Sequence, residues 1–404
     1  MRNRKIFRMK IFTGIKRYTR TKEDKKQVLL LTTLLPSSER DMVTSRALFN
    51  VIHYWQELSL FAIKIYTFSP FHPSTRVLPG KSIIDGISIQ RIPIFHFPKT
   101  TSWNIFALRV YLSLLHYTPD LILAHLYPST VWCIKLLRLY NCPLVLGIHG
   151  SDTIKIRRNA QKAIRAASLI VFRSKSIESR FVSLYGRPKC ETMILPSGIN
   201  KDDVESTEVF ELKARKPEGK FKFIVAAKLQ ALKHIDVSIR ALSNMKDRDW
   251  EFTIIGDGSE RKSLESLVEA NGLFERVRFL GQLDRAVVLQ GMLSSNIFVM
   301  VSAPETFGLV YLEAMAKACI VVGARGWGID GIVEHGVNGF LCEPGDEAGL
   351  REVLLSIMDM DAESYRAIIH RSAETVAALD ERHLAEKYQA KLIEIAEKHR
   401  KNNI

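Results

Sequence analysis

Two successive series of short apolar runs, each alternating with helical stretches, constrain this chain more than any other feature. Residues 28–31, 63–67, 121–124, 144–148 and 169–172 are rich in Val, Ile and Leu. Runs this short read as parallel strands buried on both faces. Helical stretches at 44–58 and 159–167 lie between them. A second series follows at 223–226, 252–255, 277–280, 297–301 and 320–322, with helical stretches at 236–242, 260–270 and 308–318. Strand–helix alternation in both halves predicts an α/β chain of two Rossmann-like, doubly wound parallel sheets. A length of 404 residues suits two such domains.

Between the series, Leu195-Pro196-Ser197-Gly198 punctuates the chain as a linker would, and an acidic segment without strand character follows at 201–218. The expected division is a tail at 1–27, a first domain at 28–198, a second at 199–375 and a closing segment at 376–404. That last segment carries an amphipathic helix over residues 381–399. Residues 103–117 are apolar nearly all round, but 15 residues are too few to cross a bilayer. They read as a core helix or an exposed apolar patch, burial being the commoner fate of such segments.

The net charge of +15 is concentrated at one end. Residues 1–26 hold eleven Lys or Arg against Glu23 and Asp24, a balance of +9, which leaves +6 for the rest. Nucleic-acid binding is therefore disfavoured, because the fold itself is not strongly basic and carries no RNA or DNA motif. Phe7, Ile11, Ile15 and Tyr18 recur at helical spacing in the tail. The tail reads as a disordered basic extension or as a helix lying on an anionic membrane. No unbroken apolar stretch follows the charges, as a secretory signal would require. The five cysteines, Cys133, Cys142, Cys190, Cys319 and Cys342, form no C-x-x-C pair. They read as reduced structural thiols in a cytoplasmic protein, and the basic tail suits peripheral attachment to the cytosolic face of a membrane.

The chemistry concentrates where a strand run at 297–301 turns into a helix through Ser302-Ala-Pro-Glu305-Thr-Phe307-Gly308-Leu309-Val310. In open α/β sheets ligands bind beyond the carboxyl ends of strands. The amides of Phe307, Gly308, Leu309 and Val310 are placed to meet a phosphate at the helix start. Along the helix only Glu313 and Lys317 are charged. A carboxylate in such apolar surroundings needs a partner. The residues alone leave two partners open: the paired hydroxyls of a sugar or ribose, or a basic side chain elsewhere.

This stretch resembles the signature S-x-x-E-x-F-G-x-x-x-x-E-A-M-A of retaining glycosyltransferases of family four, the glycosyl transferases group 1, which have the GT-B fold. The resemblance implies that Glu313 binds the donor ribose, that Glu305 contacts the transferred sugar, and that the amides at Phe307–Val310 contact the diphosphate or sugar. Lys228-Leu-Gln-Ala-Leu-Lys233 is similar to the family's G-R-L-x-x-x-K-G, implying two cations over the diphosphate. Gly147-Ile-His149-Gly150-Ser-Asp152 is similar to its H-G-x-D, implying that His149 stands near the reacting carbon. Further matches occur at Ile255–Gly258, Phe279–Gly281, Gly336–Leu341 and Pro344–Asp346. Lys228 replaces the usual Arg, and Ala227 and His234 stand where Gly is common. Pro36–Asp41 replaces a Gly-rich loop, and Trp327–Gly331 replaces G-G-x-P-E.

The resemblance implies an acceptor-binding first domain, a donor-binding second domain and a last helix that returns to the first. The implied reaction moves a sugar from a nucleoside-diphosphate-sugar to a hydroxyl of a saccharide or lipid-linked acceptor, with retention and no metal or other cofactor. No D-x-D pair stands at a strand end to bind a metal, and Lys228 and Lys233 can supply the charge instead. The basic tail and apolar first-domain segments suit cell-envelope polysaccharide or glycolipid synthesis. A GT-B epimerase and a catalytically silent nucleotide-sugar-binding subunit are the alternatives.

Overall fold

A computed structural model of the chain describes residues 25–32, 35, 46–70, 80–94, 117–125, 137, 140–154 and 158–402. The basic tail at 1–24, the loop at 36–41, the apolar stretch at 103–116 and Cys133 lie outside the described residues.

Among the described residues the first sheet has eight strands: β1 (Lys26–Thr32), β2 (Phe61–Pro70), β3 (Gly80–Ile84), β4 (Ile87–Ile94), β5 (Leu121–His125), β6 (Leu144–Ile148), β7 (Leu169–Phe172) and β8 (Glu191–Ile194). Their spatial order is β3-β4-β2-β1-β5-β6-β7-β8, and every pairing is parallel except β3 with β4. The second sheet is wholly parallel: β9 (Phe221–Ala226), β10 (Trp250–Ile255), β11 (Val277–Gly281), β12 (Ile297–Val299), β13 (Ile320–Ala324) and β14 (Phe340–Cys342), ordered β11-β10-β9-β12-β13-β14. Two doubly wound parallel sheets are thus present, as the alternation predicts. β6, β7, β12 and β13 are apolar along their length, as strands with both faces covered are. Every residue of β5, β6, β7 and β13 is buried.

The structure adds elements that the apolar runs do not announce. The β3–β4 hairpin alternates exposed and buried residues, so it has no continuous apolar run. Both β14 and β8 are short, and β8 is partly exposed. The helix expected over 308–318 is shorter, Leu309–Ala316. Gly308 precedes it in the left-handed region at φ 79°, and Ala318 ends it at φ 54° while the Cys319 amide donates back to the Ala314 carbonyl.

Among the described residues the chain passes between the sheets twice, and the two passes are bonded to each other. The Ile199 amide donates to the Leu379 carbonyl at 2.8 Å, and the Glu381 amide donates to the Ile199 carbonyl at 3.0 Å. Gly198 has no room for a side chain, since a Cβ there would stand 2.3 Å from the Glu381 Cα. The final helix, Glu381–Asn402, then packs on the helix Arg46–Glu57 beside the first sheet. The Trp55 indole donates to the Ala385 carbonyl at 2.8 Å, while Asn50 and Tyr54 donate to the two Glu381 carboxylate oxygens at 2.7 and 2.8 Å.

Candidate active site

In the second sheet the strand order reverses between β9 and β12. Strands whose following connections run in opposite directions leave a crevice at their carboxyl ends. Lys228 and Lys233 follow β9, and the segment Ser302–Gly308 follows β12. The Lys228 loop is held from below by Gly256 and Gly258, where added Cβ atoms would stand 1.9 Å from the Ala227 carbonyl oxygen and 2.2 Å from that of Leu229. Lys228 is exposed and makes no hydrogen bond or ion pair with the described residues. Lys233 closes a short 3-10 turn, Ala231–Lys233, and His234 follows with φ 50°. That left-handed conformation accounts for glycine being common there, since a Cβ in it costs roughly 1–2 kcal/mol.

The Lys233 ammonium meets the Glu305 carboxylate at 2.7 Å, with 18% and 16% of the two side chains exposed. Glu305 also accepts from the Ser302 hydroxyl at 3.3 Å and from the Thr306 amide at 3.0 Å. Two residues drawn from separate motifs 72 positions apart are therefore one unit. The amides of Phe307, Gly308, Leu309 and Val310 donate to no acceptor among the described residues. Phe307 is buried, and Leu309 and Val310 are half-buried. Gly308 is required twice over: its φ is left-handed, and a Cβ would strike the Tyr311 ring at 2.5 Å.

Glu313 has a basic partner. Arg285 Nε donates to its Oε1 at 2.8 Å, while the same guanidinium grips both Asp203 carboxylate oxygens at 3.0 and 2.6 Å. Of the two partners left open by the residues, the ion pair is the one this structure contains. Partial burial opposes the charge on Arg285, yet its bonds to Asp203 and Glu313 raise its pKa further.

From the first sheet, His149 follows β6 and is buried. Its Nε2 stands 3.1 Å from Nδ1 of His125, the last residue of β5 and fully buried. The two rings meet because Gly147 has no side chain, as a Cβ there would stand 2.3 Å from His125 Nδ1. Burial drives the His125 pKa down to about 3 and the His149 pKa well below its ordinary value, with the buried Arg173 guanidinium adding to both. Both imidazoles are thus neutral at neutral pH.

The loop that carries His149 meets the second domain through its backbone. The Gly150 amide donates to the Thr306 hydroxyl at 3.1 Å, and a Cβ on Gly150 would stand 2.8 Å from the Glu305 carbonyl oxygen. Beside this contact, the Arg180 guanidinium lies 3.6 Å from the centroid of the Trp327 indole, a cation–π stack across the two domains. The unusual segment Trp327–Gly331 sits directly on the Glu305 loop, with the Gly328 amide donating to the Glu305 carbonyl at 3.2 Å. His149, Glu305 and Lys233 are in this way brought to one place, whereas Glu313 is engaged separately by Arg285. His125, Arg180 and Arg285 belong to none of the sequence motifs. His125 carries a readable signal, a histidine ending an apolar strand run. The two arginines carry none, because each looks like an ordinary exposed helix residue.

Residues 207–375 match the family model described as glycosyl transferases group 1, and residues 47–203 match that of glycosyltransferase family 4. The chain is 36% identical over 128 residues to the N-acetyl-alpha-D-glucosaminyl L-malate synthase of Bacillus anthracis, covering 32% of this chain and 33% of that protein. It is 28% identical over 264 residues to the D-inositol 3-phosphate glycosyltransferase of an Arthrobacter species, covering 59% and 62%. The chain thus spans about a third to two thirds of the length of these two relatives. Its fold is similar to that of sucrose-phosphate synthase from Thermosynechococcus elongatus, with a TM-score of 0.72 at 17% identity over 92% of this chain and 99% of that one. It is also similar to HepE of Anabaena solved in complex with UDP, with a TM-score of 0.67 at 22% identity over 91% and 100%.

Proposed function

The chain belongs to the glycosyl transferases group 1, enzymes of the GT-B fold, and from that premise we propose that it transfers a sugar from a nucleoside-diphosphate-sugar to a hydroxyl acceptor with retained anomeric configuration. The observation that carries this reading is the Lys233–Glu305 pair at the β9–β12 crevice, joined to the His149 loop through Gly150 and Thr306. As the glycosidic bond breaks, charge accumulates on the leaving diphosphate, where fixed cations and amides stabilise it, and its freed oxygen takes the proton that the acceptor hydroxyl loses as the new glycosidic bond forms. Lys228 and Lys233 supply the cations, and the Phe307–Val310 amides supply the dipoles. Glu305, fixed by three donors, meets the hydroxyls of the transferred sugar. Glu313 takes the ribose. The His149 loop, with its neutral ring buried behind it, borders the reacting carbon.

The HepE complex with UDP supports a nucleotide donor. Charge supplied by lysines supports activity without a metal cofactor. The basic tail supports a cytoplasmic enzyme bound peripherally to anionic membrane, acting on a saccharide or lipid-linked acceptor in cell-envelope polysaccharide or glycolipid synthesis. No helix among the described residues is long and apolar enough to cross a membrane.

The test is a thermal-shift screen of UDP-, GDP- and ADP-sugars, since a ligand bound by the native state raises the melting midpoint by mass action. The best donor is then incubated with simple glycoside acceptors, and the anomeric configuration of the product is read by proton NMR. An inverted product would overturn retention. Conversion of the donor sugar to its epimer without any acceptor would overturn transfer.

A further inference from the structure

The ion network at Glu313 has more structure than a buried carboxylate requires. One guanidinium serves two acids through different edges: Nε and one terminal nitrogen reach Glu313 Oε1, each at 2.8 Å, and the terminal pair forks onto Asp203. Asp203 comes from the short turn Lys201–Asp203 that follows the first pass between the sheets. That turn is itself pinned to the same helix as Glu313. The Glu205 amide donates to the Ala316 carbonyl at 3.0 Å, and Lys317 meets the Glu205 carboxylate at 2.6 Å. Arg285 opens its own helix, Arg285–Leu293. Three separate segments therefore fix one carboxylate.

The consequence lies in which oxygen is used. Arg285 takes Oε1 from one side, and Oε2 accepts nothing from the described residues. A carboxylate offers about four acceptor positions. The guanidinium leaves those of Oε2 open and removes the freedom of the side chain to swing. Two vicinal hydroxyls are a matching ligand, because both can donate to one immobile carboxylate edge. Alone, a flexible Glu would accept one hydroxyl nearly as well as two.

We infer that Arg285, itself braced by Asp203, is the positioning residue that makes Glu313 a reader of an intact ribose diol, so that nucleotides lacking the 2′-hydroxyl are rejected. This rests on the ribose role proposed for Glu313. It goes further by assigning the discrimination to Arg285, which need not touch the nucleotide.

The experiment is calorimetric titration of the full chain with whichever of UDP, GDP and ADP binds most tightly, and with its 2′-deoxy counterpart. Wild type is expected to prefer the ribose form by roughly tenfold or more, the worth of a hydrogen bond to a charged group. Glu313→Gln should bring the ratio near one. Arg285→Leu should lower it at least about fivefold, and should change it no further when combined with Glu313→Gln. If Arg285→Leu does not fold, Arg285→Lys serves, since an ammonium cannot span both acids and should also lower the ratio. An unchanged ratio in the folded Arg285 variant, whatever its melting temperature, would show a merely structural ion pair and overturn the inference. A wild-type ratio near one, or one that survives Glu313→Gln, would instead overturn the ribose role beneath it, and the inference with it.

Discussion

Replacing Lys233 with Met separates the two things that Lys233 is placed to do. Its ammonium neutralises Glu305 at 2.7 Å, in a pair of which less than a fifth of either side chain is exposed. Breaking a fully buried pair costs about 3–5 kcal/mol because a charge is left alone. Glu305 retains its bonds from Ser302 and Thr306 and some contact with water, so the expected loss for Lys233→Met is about 2 kcal/mol. At the usual slope for domains of this size, the melting midpoint falls by about 4–8 °C. The Lys233→Met/Glu305→Gln double variant removes both charges and should recover most of that stability, since apolar or neutral replacements of a buried pair are close to neutral. Nucleotide affinity should not recover with it. A charge-assisted hydrogen bond to the diphosphate is worth about 1.5–3 kcal/mol, so both variants should bind the preferred nucleoside diphosphate roughly 10- to 150-fold more weakly. Calorimetry and thermal melts on the same preparations provide both readouts. Weakened stability with unchanged nucleotide affinity would refute the reasoning and leave Lys233 as a structural partner of Glu305 alone.

Other perturbations test the remaining parts of the site. Glu313→Ala should abolish measurable donor binding, whereas Glu305→Ala should chiefly lower turnover; calorimetry showing wild-type affinity in Glu313→Ala would contradict the ribose role. Activity should survive EDTA, and complete loss restored by Mn²⁺ or Mg²⁺ would show that lysines do not carry the leaving-group charge. His125 and His149 have depressed pKa values in the native fold, burial being the larger cause, and return to about 6.5 when unfolded. The unfolded chain then binds more protons, so stability is complete above pH ~6.5 and declines as pH falls, by up to about 1.4 kcal/mol per pH unit for each histidine. Urea midpoints that stay level between pH 7 and pH 5 would argue against two neutral buried rings. The full chain should sediment with anionic vesicles at low salt and release as salt rises, because attraction is screened beyond about 8 Å at physiological ionic strength; equal sedimentation by a chain beginning at Gln27 would absolve the tail.

The sheets were readable where burial is two-sided. A run such as Leu144–Ile148 has no polar alternation to confuse it, because helices cover both faces of β6. Where one face meets water, as in the β3–β4 hairpin, the continuous apolar signal vanishes. The sequence also placed Glu305, Lys233 and Gly308 at strand ends, since those residues lie in compact motifs next to apolar runs. Their mutual contacts were hidden. Nothing local pairs Lys233 with Glu305 across 72 residues, or sends Arg285 to Asp203 across 82. Glu313 shows the limit well: its apolar surroundings demanded a partner, but which partner depended on a helix start 28 residues away. His125 became meaningful only when β5 and β6 aligned it with Gly147.

The bond between the two interdomain passes has a mechanical meaning. Residues 198–199 and 379–381 cross side by side, closed by two hydrogen bonds and by the flat face of Gly198. A pair of free tethers would let the domains twist and slide as well as open. Two tethers clamped together behave as the spine of a book, permitting one rotation and resisting the others. The clamp lies only four residues from Asp203, so the spine and the brace on Glu313 belong to one stretch of chain. Any rotation about this spine would part or join the Gly150–Thr306 and Arg180–Trp327 contacts together, since both pairs link the same two domains.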